Sequence, residues 1–496
     1  MALRTPEQYF QSLRDGRTVY YRGERVSDVT THAEIGTATR HAAIDFKVAE
    51  DLRFRELAAV TDAAGHVYSR YFYPPQNSDD LLLRSRLIEL STTLGKTLVI
   101  LVKEIGSDAL FALTEIAAQV DRRAETRYSE RVREFLQECR DNDYALAVAQ
   151  TDAKGDRSLG PAAQSNPDVY LRIVRRTEDG IVVRGAKMHT SCAANVNQII
   201  VLPTRAMGQD EADYAVAFAV PVETPGLKLI ASPYGGGAKD PFEHPLSAEH
   251  RMIETTTIFE DVFVPWKRVF LAGEWEWAGP LAVKFVDFHR FTAISYKLPL
   301  VDALVGAAIV VADANGVSRA AHVRDKIVRL IAYAETLRAL IELTARRAQV
   351  IEGIATPDPM TVNMAKYHFA HGYHEALRDV QDCAGGSLVT SPGIEDWESP
   401  ETGDLLRHFL GGRDGWTAEQ RARVLNVVSD LTASDFAGYH AVLAVHAEGS
   451  LEAEKLQLYR TYPPDRTVRL ARWLAGLEAE IDYPGELRTN SDLSGS

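Results

Sequence analysis

Two polar loops carry the residues whose types and spacing best suit cofactor binding. One loop follows a helical region, and the other closes a β-hairpin, Val169–Val174 and Ile181–Gly185, that turns at Asp179-Gly180. Their polar side chains are Thr151, Asp152, Lys154, Asp156 and Arg157 in the first loop, and His189 and Thr190 in the second. A flavin ring needs hydrogen-bond donors along its pyrimidine edge and at N5. We therefore expect a flavin pocket at one end of a small sheet, although composition alone would favour a solvated connection for the first loop.

His289 and Glu254 are the candidate acid–base residues. Imidazole is the side chain that exchanges protons most readily near neutral pH, and His289 lies in a Phe-His-Arg stretch. Glu254 stands just before a predicted strand, Thr255–Phe259. Each residue has a structural alternative: a buried structural histidine in the first case, and a strand-edge charge beside Glu260 and Asp261 in the second.

Glycines after predicted helices could bring the backbone close to a ligand. Gly385 and Gly386 follow a helix that ends at Cys383, which is typical of a glycine helix cap. The same glycines would also allow close approach to a pyrophosphate. Asn315, between two predicted helices, is typical of a turn. Gly235–Gly237 lacks the spacing of a dinucleotide fingerprint, so no NAD site is predicted.

The elements that position these residues follow the order helix, strand, helix. Helical periodicity covers Thr5–Leu13, Arg84–Ile116 and Ser129–Asn142, and returns after Trp277 in long stretches that include Val323–Ile341, Met364–Cys383 and Ala418–His446. Between them, six short strands predict a barrel or a sandwich. The last residues, Thr489–Ser496, are small and polar and predict a frayed tail.

The composition of the chain argues against several classes of function and of binding site. The chain has 496 residues, 25% of them charged, and a net charge of −14, which argues against binding of nucleic acid or anionic membranes. Its three cysteines are too scattered for a disulfide framework or a zinc site. His368, His371 and His374 spread across a predicted helix, so no metal site is expected. With no apolar leader and no run of about eighteen apolar residues, we expect a soluble cytoplasmic protein acting on a small molecule.

Several ordered motifs resemble one family. They are Thr151–Arg157, Gly185–Thr190, Asp261–Trp266, Phe288–Arg290 and Ala384–Thr390, within a similarity that runs from Thr5 to about Gly476. The chain resembles the 4-hydroxyphenylacetate 3-hydroxylase / 4-hydroxybutyryl-CoA dehydratase family, and the dehydratase branch more closely. That resemblance implies an α+β, acyl-CoA dehydrogenase-like fold, bound FAD and a homotetramer. It divides the chain into an N-terminal helical domain (1–145), a middle β-barrel domain (146–278) and a C-terminal four-helix bundle (279–496).

The resemblance also assigns roles to residues. It places FAD against the seven polar side chains of the two loops, puts Asn315 near the cofactor, and lets the Gly385-Gly386 loop reach the FAD of a neighbouring subunit. Glu254 matches a family active-site glutamate. In the dehydratase branch the counterpart of His289 ligates a [4Fe–4S] cluster.

The remaining positions depart from both branches. The cysteine ligands of the cluster correspond here to Ile100, Glu104 and Tyr296, so no iron–sulfur cluster is expected. We expect Glu104, Tyr296 and His289 to surround the flavin instead. The substrate-binding Arg, Tyr and His of the hydroxylase branch are also missing.

Three functions remain open. The preferred one is a two-component monooxygenase that uses FADH2 from a separate flavin reductase to hydroxylate an aromatic or related small molecule. The alternative is an iron-free dehydratase or isomerase acting on an acyl-CoA or a carrier-bound thioester. The third is a degenerate scaffold without flavin.

Overall fold

The computed structural model describes residues 3–477, so the predicted tail Thr489–Ser496 lies outside the described residues. The N-terminal part is mainly helical and also contains two short strand pairs. Its elements are α1 (Pro6–Ser12), β1 (Val19–Tyr21), β2 (Glu24–Arg25), α2 (Ile35–Ala42), α3 (Ile44–Glu50), α4 (Arg55–Ala58), β3 (Ala59–Thr61), β4 (Val67–Ser69), α5 (Ser78–Leu94), α6 (Glu104–Ala124) and α7 (Tyr128–Asn142). The predicted start of α1 is confirmed, because Thr5 caps the helix in a capping box and Pro6 follows it.

The next region forms two sheets. Its strands are β5 (Leu146–Ala149), β6 (Arg172–Arg176), β7 (Gly180–Ser191), β8 (Gln198–Val201), β9 (Val216–Pro221), β10 (Leu227–Ala231), β11 (Glu254–Pro265) and β12 (Val269–Ala272). The larger sheet has the order β2-β1-β10-β11-β7-β6, with β1 parallel to β10, and the smaller has the order β12-β9-β8-β5. The larger sheet is open, because closure into a barrel requires the edge strands to pair and β2 and β6 stay at opposite edges. The predicted layout of a middle β-barrel domain stays a prediction.

The C-terminal part is helical again. It comprises α8 (Ala278–Ala314), α9 (Ala321–Arg346), the hairpin β13 (Gln349–Ile351) and β14 (Ile354–Thr356), α10 (Pro359–Ala384), α11 (Ile394–Glu398), α12 (Gly403–Phe409), α13 (Ala418–Thr432), α14 (Asp435–His446), α15 (Leu451–Thr461) and α16 (Asp465–Leu474). Helices α8, α9, α10 and α13 share one apolar core. The single helix predicted over Ala418–His446 is two helices, because Ser434 caps α14. The domain boundaries at residues 145 and 278 stay a prediction.

Helix α8 links the sheets to the helical core and carries both His289 and Tyr296. By length and composition, Trp275–Ala314 could cross a membrane, and the mean hydropathy of its most apolar 18-residue window is 1.7. However, 67% of its most apolar window is buried inside the protein, as in the core helix of a globular fold.

A strained connection faces α8 from the N-terminal part. The helix predicted over Arg84–Ile116 breaks at residues 95–103, where Lys96, Thr97 and Leu101 adopt positive φ angles of 50°, 75° and 64°. Such angles are rare for side chains of this bulk. Just beyond, a Cβ on Gly106 would lie 2.2 Å from the Leu146 Cβ, so only glycine lets α6 approach β5 this closely. This contact fixes the first turns of α6.

Candidate active site

His289 is bound to a buried carboxylate. Its Nδ1 lies 3.1 Å from Oδ2 of Asp108 on α6, and its ring stacks on Phe285 at 5.2 Å between centroids. The other carboxylate oxygen of Asp108 accepts hydrogen bonds from Arg84 at 2.7 Å and from Thr292 at 2.9 Å. This geometry holds the imidazole in one orientation.

Tyr296 takes part in a second buried network, centred on Glu448 in the turn after α14. The Tyr296 hydroxyl and Lys297 Nζ both donate to the Glu448 carboxylate, the latter at 2.7 Å, and Lys366 Nζ lies 3.4 Å away. Burial alone would raise the pKa of Glu448, but the charges of Lys297 and Lys366 hold it well below its usual range. Burial lowers the pKa of Lys297 to about 8.

Glu254 lies where the sheet meets the C-terminal helices. Ser191 donates to it from β7 at 2.9 Å, and Tyr439 donates to it from α14 at 2.5 Å. Burial raises the pKa of Glu254, while these hydrogen bonds and the nearby His189 oppose the rise. The charge of Glu254 also acts on the Tyr296 phenol. Glu254 is therefore part of one acid–base region with the α8 residues, and not the isolated surface charge of the alternative interpretation.

Glu104, Tyr296 and His289 do not contact one another among residues 3–477, and their place around a flavin stays a prediction. Tyr296 binds Glu448, His289 binds Asp108, and Glu104 lies beside Asp45 on α3. One oxygen of Glu104 and both oxygens of Asp45 are sealed from solvent without a hydrogen bond of standard geometry among residues 3–477. Burial and the neighbouring Glu104 carboxyl raise the pKa of Asp45 well above its usual range. The two carboxyl groups can hydrogen-bond to each other only when one holds a proton.

Replacing Asp45 by asparagine should therefore make stability less dependent on pH. When the pKa of an aspartate is raised in the folded protein, the free energy of unfolding falls as the pH rises from the ordinary pKa of 3.8 towards the pKa in the fold. Within that pH range, the free energy of unfolding of the Asp45→Asn variant should rise relative to that of the wild type by up to about 1.4 kcal/mol per pH unit. Denaturation midpoints measured between pH 4 and 8 test this. Asp143→Asn, which breaks a buried ion pair with Lys103 at 2.7 Å, should be destabilised throughout. A stability difference that does not change with pH would contradict the shared proton.

The two flavin-binding loops predicted from sequence lie side by side. Asp152 forms a β-bridge with Lys187 and a buried ion pair of 2.9 Å with its Nζ. The other contacts of the Asp152 carboxylate are Thr204 and the backbone N–H of Leu171. The buried Asp152 carboxylate, 2% exposed, therefore joins the two loops, and its contact with a flavin stays a prediction. Thr190 is also buried, and its hydroxyl accepts a hydrogen bond from Thr257 at 3.0 Å.

Other groups in these loops suit an anionic, hydrogen-bonding ligand. Lys154 Nζ and the Arg157 guanidinium have no hydrogen bond or ion pair among residues 3–477, and they lie close enough to repel each other. Burial, followed by that repulsion, lowers the pKa of Lys154. His189 is exposed at a left-handed φ of 55°, at the end of β7 next to Glu254. Two unpaired cations and an exposed imidazole fit the phosphates and polar edge of FAD. Asp156 is exposed, and its carboxylate accepts hydrogen bonds from the backbone N–H and hydroxyl of Ser158 in the same turn. The Thr151 carbonyl accepts a hydrogen bond from the backbone N–H of Met188 at 2.8 Å.

Asn315 and the glycine loop meet elsewhere on the helical part. Asn315 donates to the carbonyl of Ala384 at 3.4 Å and accepts from Arg421 at 2.9 Å. Gly385 and Gly386 are exposed, and a Cβ on either would meet nothing within 4 Å. The open backbone leaves room for a ligand or a second subunit.

Sequence reasoning missed Asp108, Glu448 and Tyr439. Each touches a predicted site residue from far along the chain, at separations of 181, 152 and 185 residues. Contacts at such a range leave no local pattern. Within residues 3–477, no group of three or more His, Cys, Asp or Glu side chains is arranged to hold a metal ion. The absence of an iron–sulfur cluster stays a prediction.

Known proteins match nearly the whole chain. Family models described as the N-terminal and C-terminal parts of 4-hydroxyphenylacetate 3-hydroxylase match residues 5–271 and 278–476. The chain is 32% identical over 495 residues to 4-hydroxybutyryl-CoA dehydratase/vinylacetyl-CoA-Delta-isomerase of Clostridium aminobutyricum, covering 96% of this chain and 100% of that protein. The solved oxygen-tolerant 4-hydroxybutyryl-CoA dehydratase of N. maritimus superposes with a TM-score of 0.90 at 30% identity, over 99% of each chain. The oxygenase component of 4-hydroxyphenylacetate 3-monooxygenase, complexed with FAD and 4-hydroxyphenylacetate, gives 0.89 at 26% identity over 95% of this chain and 98% of that chain.

Proposed function

The chain belongs to the 4-hydroxyphenylacetate 3-hydroxylase family, and from this we propose that it is a FAD-dependent monooxygenase of the two-component type. A separate reductase would supply FADH2, and the substrate would be a small aromatic or related molecule. One observation carries the proposal: the exposed flavin-loop residue His189 lies next to Glu254, in the same region as the acid–base residues of α8. A cofactor held by the loops would face those residues.

Lys154 and Arg157 would not have to leave an ion pair among residues 3–477 in order to bind the cofactor. Lys154 and Arg157 would bind its phosphates or offset the negative charge of the reduced ring, and the exposed His189 imidazole would hydrogen-bond to the ring edge. Reduced FAD would supply two electrons to dioxygen, so that one oxygen atom enters the substrate and the other leaves as water.

The residues around the ring would handle protons and exclude water. His289 would accept a proton from a substrate hydroxyl at its free nitrogen, Nε2. Glu254, whose pKa is raised by burial, would hold a proton near the ring and donate it as a hydrogen bond. Glu448 would keep Tyr296 and Lys297 in place by hydrogen bonds from both.

A second candidate is an iron-free dehydratase or isomerase that moves protons on a thioester. The likeness to 4-hydroxybutyryl-CoA dehydratase, at 32% identity over the whole length of that protein, favours it. His289 and Glu254 would then remove and return protons on the acyl group, with no net use of oxygen.

The decisive experiment supplies chemically reduced FAD, air and a panel of phenols to the purified protein. We expect a hydroxylated product that carries one atom of 18O from 18O2. Oxygen-independent exchange of solvent deuterium into an acyl-CoA, without hydroxylation of any phenol, would instead select the dehydratase or isomerase. A colourless protein that takes up no FAD would contradict both.

Removing the unpaired cations should weaken FAD binding. A hydrogen bond to a charged group contributes about 1.5–3 kcal/mol, so Lys154→Met and Arg157→Met should each raise the Kd for FAD by roughly 10–100-fold. Fluorescence titration of the flavin measures this. Lys228→Met is the matched control, because Lys228 is exposed on the same sheet but already pairs with Glu260 at 2.7 Å. An unchanged Kd in both loop variants would show that FAD binds elsewhere.

We further propose a cytoplasmic homotetramer. Helices α8 and α9 expose aliphatic side chains that a subunit interface would cover: Val283, Ile309, Val310, Val328, Ile331 and Leu343. All three cysteines are free and buried, which supports a reducing compartment. Light scattering after gel filtration distinguishes a tetramer from a dimer.

A further inference from the structure

We propose that Asp108 is a positioning residue that fixes the tautomer of His289, with the proton on Nδ1 and the lone pair on Nε2 facing the reaction. The use of Nε2 as a base rests on the proposed function, whereas the tautomer itself does not. Nothing in the local sequence around either residue links them, because they lie 181 residues apart.

The hydrogen bonds of the Asp108 carboxylate determine which nitrogen carries the proton. Oδ1 accepts from Arg84 at 2.7 Å and from Thr292 at 2.9 Å, so Oδ2 is the oxygen left for His289 Nδ1 at 3.1 Å. A carboxylate has no hydrogen to give. Nδ1 must therefore be the donor, and in the neutral ring Nε2 must be the bare nitrogen.

The charge of the Asp108 carboxylate is already balanced by Arg84. Asp108 already has its counter-ion in Arg84, since the side chains of this ion pair are only 1% and 4% exposed. Arg84 is itself held by the carbonyls of Tyr71 at 3.1 Å and Glu104 at 2.9 Å. Because Arg84 neutralises the buried carboxylate, no second positive charge on His289 is required.

The bare nitrogen is free to react. Nε2 has no hydrogen-bond partner among residues 3–477, and it is not one of the polar atoms sealed from solvent. The ring retains 9% of its side-chain surface exposed, while stacking on Phe285 fixes its plane. When Nε2 takes a proton from a substrate O–H, the imidazolium keeps its Nδ1–H bond to Asp108. The carboxylate therefore serves both protonation states without moving.

Asparagine at position 108 should reverse the tautomer. Arg84 can only be satisfied by an acceptor, and Thr292 donates to the same oxygen, so the amide oxygen of Asp108→Asn would face Arg84 and its NH2 group would face His289. Nδ1 would then have to accept, and the proton would move to Nε2. In serine proteases the same exchange costs about 10⁴-fold in kcat through the wrong tautomer.

The test is 15N solid-state NMR of histidine-labelled protein with FAD bound, in which His289→Gln identifies the signals of His289. We expect a protonated Nδ1 and a bare Nε2 in the wild type, and the reverse in Asp108→Asn. Thr292→Val is the matched control, since it removes one hydrogen bond from the same carboxylate without changing the atom that faces His289, and its tautomer should stay as in the wild type.

Kinetics supply a second readout. Asp108→Asn should lower kcat by at least about 100-fold with little change in KM, whereas a merely structural role would lower the melting temperature and leave the tautomer unchanged. A proton on Nε2 in the wild type, or the same tautomer in Asp108→Asn as in the wild type, would overturn the inference. If the tautomer reverses but no substrate is hydroxylated by any form, the proposed function fails and the positioning role of Asp108 stands.

Discussion

Replacing His289 by glutamine is expected to lower kcat by about 10²–10⁴-fold, the usual effect of losing a positioned acid or base. Glutamine is close in size and can still donate one N–H to Asp108, so the buried carboxylate keeps a partner. What it lacks is a ring nitrogen with a lone pair that can accept a proton from the substrate. Steady-state turnover with FADH2 and the best phenolic substrate measures the effect.

The structural alternative makes the opposite prediction for the same variant. If His289 only fills space beside Phe285, turnover should be unchanged while the melting temperature falls. His368→Gln is a suitable control, because His368 lies on α10 and packs against the tilted Tyr333 ring at 5.2 Å between centroids, with no contact to the candidate active site among residues 3–477. The loss of activity must be specific to position 289.

Removing the carboxylate of Glu448 should be the most destabilising single change in the site. The side chain is 1% exposed and faces Lys297 and Lys366, whose side chains are 3% and 0% exposed. Breaking a buried ion pair leaves uncompensated charge and typically costs about 3–5 kcal/mol. We therefore expect Glu448→Ala to lower the free energy of unfolding by about that amount, measured by urea denaturation followed by circular dichroism. Glu260→Ala, which breaks only an exposed pair with Lys228, should cost at most about 1 kcal/mol.

The contribution of Glu448 should also depend on pH in a defined direction. Its pKa in the fold lies well below the ordinary 4.5 because of the two lysines. A carboxyl group of this kind stabilises the fold fully above about pH 4.5 and loses that contribution as pH falls further. The stability difference between the wild type and Glu448→Gln should therefore shrink below pH 4.5. A difference that grows on acidification would contradict the charged state of Glu448.

Local patterns predicted local structure well. Thr5 and Pro6 predicted the start of α1, because a capping box depends on hydrogen bonds within four residues. The family predicted from the ordered motifs is confirmed by family models that match residues 5–271 and 278–476. Errors arose where tertiary packing overrides periodicity. Ile331 fits the apolar stripe of α9 yet is 42% exposed. The break at residues 95–103 begins at Gly95, which caps the end of α5, and long-range contacts such as that of the Val99 carbonyl with His41 hold the segment that follows.

The candidate site was only half visible in the sequence. Residue type and sequence neighbours were enough to propose His289, Glu254 and Tyr296. Their hydrogen-bond partners lie on other helices, strands or turns, far away in the sequence. Glu104 illustrates the limit: its position in the chain suggested a place near the flavin, and only the packing of α3 against the start of α6 shows that it shares its surroundings with Asp45. Side-chain direction at a helix start depends on such packing.

The parallel pairing of β1 with β10 has a practical consequence for protein production. Shortening the N-terminus beyond residue 18 would uncover the backbone donors and acceptors of Leu227–Ala231, which would become a free sheet edge. Edges of this kind recruit strands from other molecules, and Ile230 already projects from β10 with 46% of its surface exposed. An affinity tag is therefore best added without removing the first 25 residues. Aggregation of a trimmed protein could otherwise be mistaken for a failure to bind flavin.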